Sequence, residues 1–251
     1  MKLKATFLFF MIAIGTVGIN TTLFAQTKPT KKVAASAKAS ATKEVSAVKK
    51  EKETLVEITT PYGIMVAKLY NSTPLHRDNF IKLVKQGFYD SLLYHRVING
   101  FMIQGGDPQS KHADSVAMLG NGSAPGERVP AEFRNNLFHK KGALAAARDD
   151  NPQKASSNCQ YYIVQGKRID TAQLNSIEKN IKNGNPAFAY TEAQKEIYGR
   201  LGGTPFLDQN YTVFGEVISG LDILDKIASA QTRPGDRPVA DIWMKMKIIN
   251  E

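Results

Sequence analysis

The chain has 251 residues, 42% hydrophobic and 22% charged, a globular composition with room for one large or two modest domains. Its net charge of +10 is concentrated at one end, because residues 1–53 hold ten lysines and three glutamates and residues 54–251 carry only +3. That distribution argues against a folded nucleic-acid-binding face, and a single cysteine, Cys159, excludes an intramolecular disulfide.

Residues 1–25, MKLKATFLFFMIAIGTVGINTTLFA, set Lys2 and Lys4 before an apolar stretch from Ala5 to Ile19 and end in Phe24-Ala25, the pattern of a secretory signal. The apolar stretch is shorter than the ~20 residues of a spanning helix. Export to a bacterial periplasm, with cleavage, is therefore the expectation; an uncleaved membrane anchor is the alternative. Residues 26–53 are dense in Lys, Ala, Ser and Thr and contain almost nothing that builds a core, so they read as a disordered tether. The folded domain is expected over residues 54–251, as a monomer.

That domain opens with TLVEITT and GIMVAKLY, two strand-like runs joined by Pro61-Tyr62-Gly63, which predicts a hairpin. A helix follows, capped by Thr73, begun by Pro74, presenting Phe80, Leu83 and Val84 on one face and stopped by Gly87. The stretch YHRVINGFMIQGGD, residues 94–107, breaks at Asn99-Gly100 into two short strands. LFHKKGALAAA, QYYIVQ and YTVFGEVI read as further strands and LDILDKIA as a short helix, while DIWMKMKIIN alternates Ile242, Met244, Met246 and Ile248 as a closing strand. Many short strands separated by turns point to an antiparallel sheet closed on itself, which removes exposed edges. Between Gln165 and Phe206 the period becomes helical: Leu174, Ile177 and Ile181 recur at helical spacing, and Thr191 and Gln194 stand in capping-box positions. This is a helical insertion, spanning about residues 170–203. In SNCQYYIV, Cys159 reads as a buried, inert thiol.

The usual chemical devices are missing from the sequence. No Gly-flanked serine elbow is present, and His76, His95, His112 and His139 show no metal-ligand spacing. Gly120 to Gly126 follows no strand and opens no helix, so it is not a phosphate loop. The remaining inventory is Arg96, Gln104 and many aromatics, with neither metal nor cofactor called for, and it suits a reaction that breaks no bonds. Rotation about a Xaa-Pro amide is one: its barrier of about 18 to 20 kcal/mol comes from delocalisation of the nitrogen lone pair. A donor aimed at that nitrogen localises the pair, and a dry apolar pocket holds the ring. Taken alone, Arg96 has two readings, an ion pair with Glu132 or another carboxylate, or a donor to a ligand.

The stretch YHRVINGFMIQGGD closely resembles the signature of the cyclophilins. The resemblance implies that Arg96 is the catalytic arginine, that Phe101 and Met102 line the proline pocket, and that Gln104 binds substrate backbone. GALAAARDDNPQKASSNCQYYIV is similar to a second block of that family and implies substrate-lining roles for Ala147, Arg148, Gln160, Tyr161 and Tyr162, Arg148 mainly through its backbone. FLDQNYTVFGEV resembles a third block, with Phe206, Leu207 and Tyr211 at the rim and floor of the pocket. The implied fold is an eight-stranded antiparallel barrel, mainly β, capped by two helices. The implied activity is peptidyl-prolyl cis-trans isomerisation of exported, proline-containing polypeptides; a non-catalytic module that binds proline-containing segments is the alternative. Tyr162 stands where the family usually has Phe, so its hydroxyl must find a partner or water. Phe206 and Tyr211 replace a common Trp and His, changes expected to weaken binding of the family's cyclic peptide inhibitor. Residues 110–119 and the helical insertion exceed the compact family pattern.

Overall fold

The computed structural model describes residues 52–250; the signal-like segment and nearly all of the tether lie outside them. The expected hairpin forms. Strands β1 (Leu55–Thr60) and β2 (Gly63–Leu69) pair antiparallel from Leu55 opposite Lys68 to Thr60 opposite Gly63. Period-two patterning decides which face goes in: Val56, Ile58, Met65, Ala67 and Leu69 are all fully buried, and the residues between them face outward. Gly63 closes the turn with φ of +133°, a backbone conformation that residues with a side chain rarely adopt.

Helix α1 (Pro74–Lys85) buries His76, Phe80, Leu83 and Val84. Its cap differs from expectation. Thr73 occupies the N-cap position but makes no side-chain cap bond; the backbone N–H groups of Leu75 and His76 instead donate to the Glu132 carboxylate, at 3.2 and 3.0 Å. A full negative charge from across the chain serves the helix N-terminus better than a hydroxyl, because it answers the helix dipole as well as the orphan donors.

Strands β3 (Arg96–Ile98) and β4 (Met102–Gly105) form the second hairpin around Asn99-Gly100. Next come β5 (Ala143–Ala146), β6 (Tyr161–Val164), β7 (Val213–Ser219) and β8 (Lys245–Asn250). Of LFHKKGALAAA only ALAA is strand; the LFHKK part runs as loop, with one bridge from Lys140 to Gly203. All pairings are antiparallel, in the order β3-β4-β6-β5-β7-β2-β1-β8. The eight expected strands are therefore present and curl round, but the two end strands do not pair with each other. Irregular segments join the seam, with Tyr94 N–H donating to the Ile242 carbonyl and Met244 N–H to that of Leu92, each at 2.9 Å.

The interior is one apolar cluster to which α1 and α4 (Leu221–Ala228) contribute Phe80, Leu83, Val84, Leu224 and Ile227. These are the two expected capping helices. The insertion supplies two more, α2 (Thr171–Lys182) and α3 (Glu192–Arg200), both opened by capping boxes, Asp170 with Gln173 and Thr191 with Gln194. They build a small core of their own from Leu174, Phe188, Tyr190 and Tyr198. Of the expected helical stripe only Leu174 is fully buried; Ile177 and Ile181 are half-buried.

Candidate active site

Strand register assembles the site. Arg96 lies opposite Gln104, Gln104 opposite Tyr162, and Tyr162 opposite Ala145, one rung across four adjacent strands. Side chains on one rung share a face. The alternate positions Val97, Ile103, Ile163 and Leu144 belong to the barrel interior, so Arg96, Gln104 and Tyr162 stand on the outer wall. A second, smaller apolar cluster covers that wall, formed by Met102, Ala143, Ala145, Ala147, Tyr162, Val164 and Val213.

In this cluster is a hollow of about 110 Å³ lined by Arg96, Phe101, Met102, Gln104, Ala147, Arg148, Tyr162, Leu207 and Tyr211. Such a volume holds three or four waters, the size class of a three-methylene ring. Phe206 stands at the rim, 53% exposed, its ring 5.7 Å from that of Phe101. Gln104, Ala147 and Arg148 also line a second hollow of about 520 Å³ beside the first, which Gln160 shares with Gly120, Gly122, Ser123 and Asn158. The Gln104 amide donates to Gln160 Oε1 at 3.1 Å, and Gln160 donates to the Gly120 and Gly122 carbonyls. The two hollows thus lie side by side in one groove, the first walled by Phe101, Met102, Tyr162, Leu207 and Tyr211 together with Arg96 and Gln104, the second by more polar side chains and glycines. Arg128 and Asp149 pair in the second, and the guanidinium holds the Asp149 carboxyl down at about 2.

Ten of the twelve residues expected at the site line one or other hollow, and Phe206 stands at the rim. Tyr161 does not join them; it points into the interior, where its hydroxyl meets that of Tyr94. Arg148 contributes more than its backbone: its guanidinium lies over the Tyr211 ring at 4.7 Å and donates from Nε to the Asn210 carbonyl at 2.9 Å.

Arg96 is not paired with Glu132. That carboxylate is taken up by the α1 N-terminus and by His76 Nδ1 at 2.7 Å, while the far nitrogen of His76 meets Ser156 Oγ at 2.9 Å. Arg96 donates instead from Nε to Asp236 Oδ2 at 3.3 Å. Both side chains are nearly half exposed, so the pair orients the guanidinium without neutralising it in a dry interior. Among the described residues its terminal NH groups make no protein bond. Asp236 and His139 were missed by sequence reasoning, and only the unmet Tyr162 hydroxyl hinted at the second: it meets His139 Nε2 at 2.9 Å. Cys159 is buried as expected, and burial pushes its thiol up. Among the described residues no group of three His, Cys, Asp or Glu side chains is placed to hold a metal ion.

Fold and site together define an antiparallel β-barrel with a cation beside a ring-sized hollow walled largely by aromatic and aliphatic side chains on its outer wall. The chain belongs to the cyclophilin type peptidyl-prolyl cis-trans isomerase/CLD family, whose model matches residues 55–248. It is 35% identical over 200 residues to a Staphylococcus aureus protein named as a peptidyl-prolyl cis-trans isomerase, covering 79% of this chain and 93% of that one. A Staphylococcus saprophyticus protein of the same name is 35% identical over 184 residues, 73% of this chain and 85% of the relative. The fold is shared with a crystal structure of a Cryptosporidium parvum cyclophilin type peptidyl-prolyl cis-trans isomerase, at a TM-score of 0.58 and 22% identity, covering 79% of this chain and 99% of that one. Family membership makes this chain a peptidyl-prolyl isomerase, and the substrates of such enzymes are proline-containing polypeptides.

Proposed function

We propose that this isomerase seats the proline ring in the hollow between Phe101, Met102, Tyr162 and Leu207, and that Arg96 donates toward the prolyl nitrogen as the amide twists. In the planar amide the nitrogen lone pair is spread into the carbonyl and accepts hydrogen bonds poorly; in the twisted state it is localised and accepts well. A donor at that place therefore binds the transition state better than either ground state, which is the condition for lowering the barrier. Gln104, on the same rung as Arg96 and one strand away, takes the backbone beside the proline, and the preceding residues run toward Gln160 along the groove. Lowering the half-time from ~100 s to ~10 ms requires about 5.5 kcal/mol, within reach of one aimed donor together with positioning and desolvation.

The observation that carries this reading is Arg96 lining a hollow walled by Phe101, Met102, Tyr162 and Leu207 with its terminal NH groups making no bond among the described residues. NMR exchange on a short Ala-Pro peptide tests it: Arg96→Ala protein should keep peptide affinity within a few-fold and lose on the order of 100-fold in kcat. An Arg96→Ala protein as fast as the parent would refute the role. We also propose that residues 1–25 direct export and are cleaved after Ala25, so that the clients are exported chains; the lysine pair and short apolar stretch support it. N-terminal sequencing of the protein from its native host should start at Gln26, and a retained Met1 would count against cleavage.

A further inference from the structure

The hydroxyl of Tyr162 enters a buried chain of hydrogen bonds that does not end in the barrel. His139 Nδ1 meets Asp208 Oδ1 at 2.6 Å, and the backbone N–H of His139 donates to the same oxygen at 2.9 Å. The other oxygen, Oδ2, accepts from Tyr190 at 2.7 Å and from Tyr198 at 2.6 Å, both residues of the helical insertion. Every side chain in the chain of bonds is at least 95% buried. Four donors converge on one carboxylate, so Asp208 is satisfied without a cation. With that carboxylate on Nδ1, this nitrogen carries the hydrogen, and in the neutral ring Nε2 is left to accept from Tyr162.

Asp208 also joins two walls of the hollow. Its side chain reaches Tyr162 on β6 through His139, while its backbone directly follows Leu207 in the short 3-10 turn Pro205–Leu207. The Pro205 carbonyl lies 3.2 Å from the Tyr190 hydroxyl, so the insertion grips that turn from the same side. A network that served only to dock the insertion would be complete at Asp208. This one continues into a side chain that lines the hollow, at a position where a phenylalanine would need no partner at all.

We propose that Tyr190 and Tyr198 of the insertion, acting through Asp208 and His139, are positioning residues that hold Tyr162 and Leu207 at the separation that grips a proline ring. The proposal rests on the reading of that hollow as the proline site. The grip acts on the ring in ground and transition states alike, so it sets KM rather than kcat.

The test measures kcat and KM for a short Ala-Pro peptide by NMR exchange, with parent, Tyr198→Phe, Tyr162→Phe and the double variant in the full chain. Tyr198→Phe and Tyr162→Phe should each raise KM three- to tenfold with kcat within twofold of the parent, and the double variant should be no worse than Tyr162→Phe alone. In parallel, the ¹⁵N shift of His139 Nε2 should move in Tyr162→Phe and, to a smaller extent, in Tyr198→Phe. Folded Tyr198→Phe protein with unchanged KM, or effects of the two changes that simply multiply, would overturn the proposal. Should Tyr198→Phe not fold, Tyr190→Phe replaces it, and failure of both to fold would overturn it as well, since the hydroxyls would then serve the fold alone. If the parent turns over no peptide, the isomerase reading fails by itself, and the same variants compared by peptide dissociation constant still decide this one.

Discussion

Arg96 and His95 are neighbours in sequence with opposite surroundings. Arg96 lies on the outer wall, its guanidinium partly wet and steered by Asp236. His95 is 4% exposed and neither ring nitrogen has a well-aligned hydrogen-bond partner, so burial, opposed by the charge of Asp107 and the nearby Leu93 backbone and reinforced by the charges of Arg96 and Arg237, lowers it to about 4. The unfolded histidine keeps its ordinary value of 6.5. Between these pH values the unfolded chain therefore binds the extra proton, and stability falls as pH drops from about 6.5 toward 4 while being fully present above that window. Burial lowers His76 too, against the pull of Glu132, which adds in the same direction. Urea unfolding of the parent should lose about 2 kcal/mol more between pH 7 and 4.5 than that of His95→Gln protein. Parallel pH profiles for the two would show that His95 is not the group responsible. None of this was legible beforehand, because alternation says which side chains turn inward but not which of them lack a partner.

The elements themselves were largely readable, since strand alternation and turn residues act within a few residues of each other. The Pro61-Tyr62 and Asn99-Gly100 turns and the helix LDILDKIA all form where their sequences place them. The cap of α1 shows where local reading stops: Thr73 has the right identity and position, yet Glu132, 57 residues from Leu75, makes the bonds. Glu132→Ala should accordingly cost ~3 kcal/mol in chemical denaturation, since it orphans two helix N–H groups and a buried histidine, whereas Thr73→Ala should cost under ~1 kcal/mol. Equal costs for the two would return the cap to Thr73. The LFHKK run failed as a strand for a related reason. Its residues turn toward Asp208 and the insertion, where His139 meets Asp208 and Phe138 meets Tyr198, partners that no neighbouring sequence supplies.

At the level of the molecule, the barrel is tied down just before its first strand. Glu53 pairs with Lys68 at 3.4 Å and its carbonyl accepts from Asn250, so the domain is anchored from that residue onward. Among the described residues no helix is long and apolar enough to cross a membrane. A chain starting at Lys52 should keep kcat/KM for a proline peptide within twofold of the chain starting at Gln26, because the described residues that line the groove all belong to the barrel and its loops. A larger loss would give residues 26–51 a part in the reaction. The remaining lysines leave the domain itself only mildly basic, so adhesion to anionic surfaces, if measured, should disappear with the same truncation.

The amino-acid order alone was enough for the strands, apart from the LFHKK run, and for the two capping helices and the helical insertion, because alternation, helical period and turn residues are properties of short stretches. Folding decided the rest. Asp236 reaches Arg96 across 140 residues, and Tyr198 governs Tyr162 only through Asp208 and His139. Such contacts depend on strand register and chain closure, which bring together side chains whose spacing along the sequence carries no signal of their meeting.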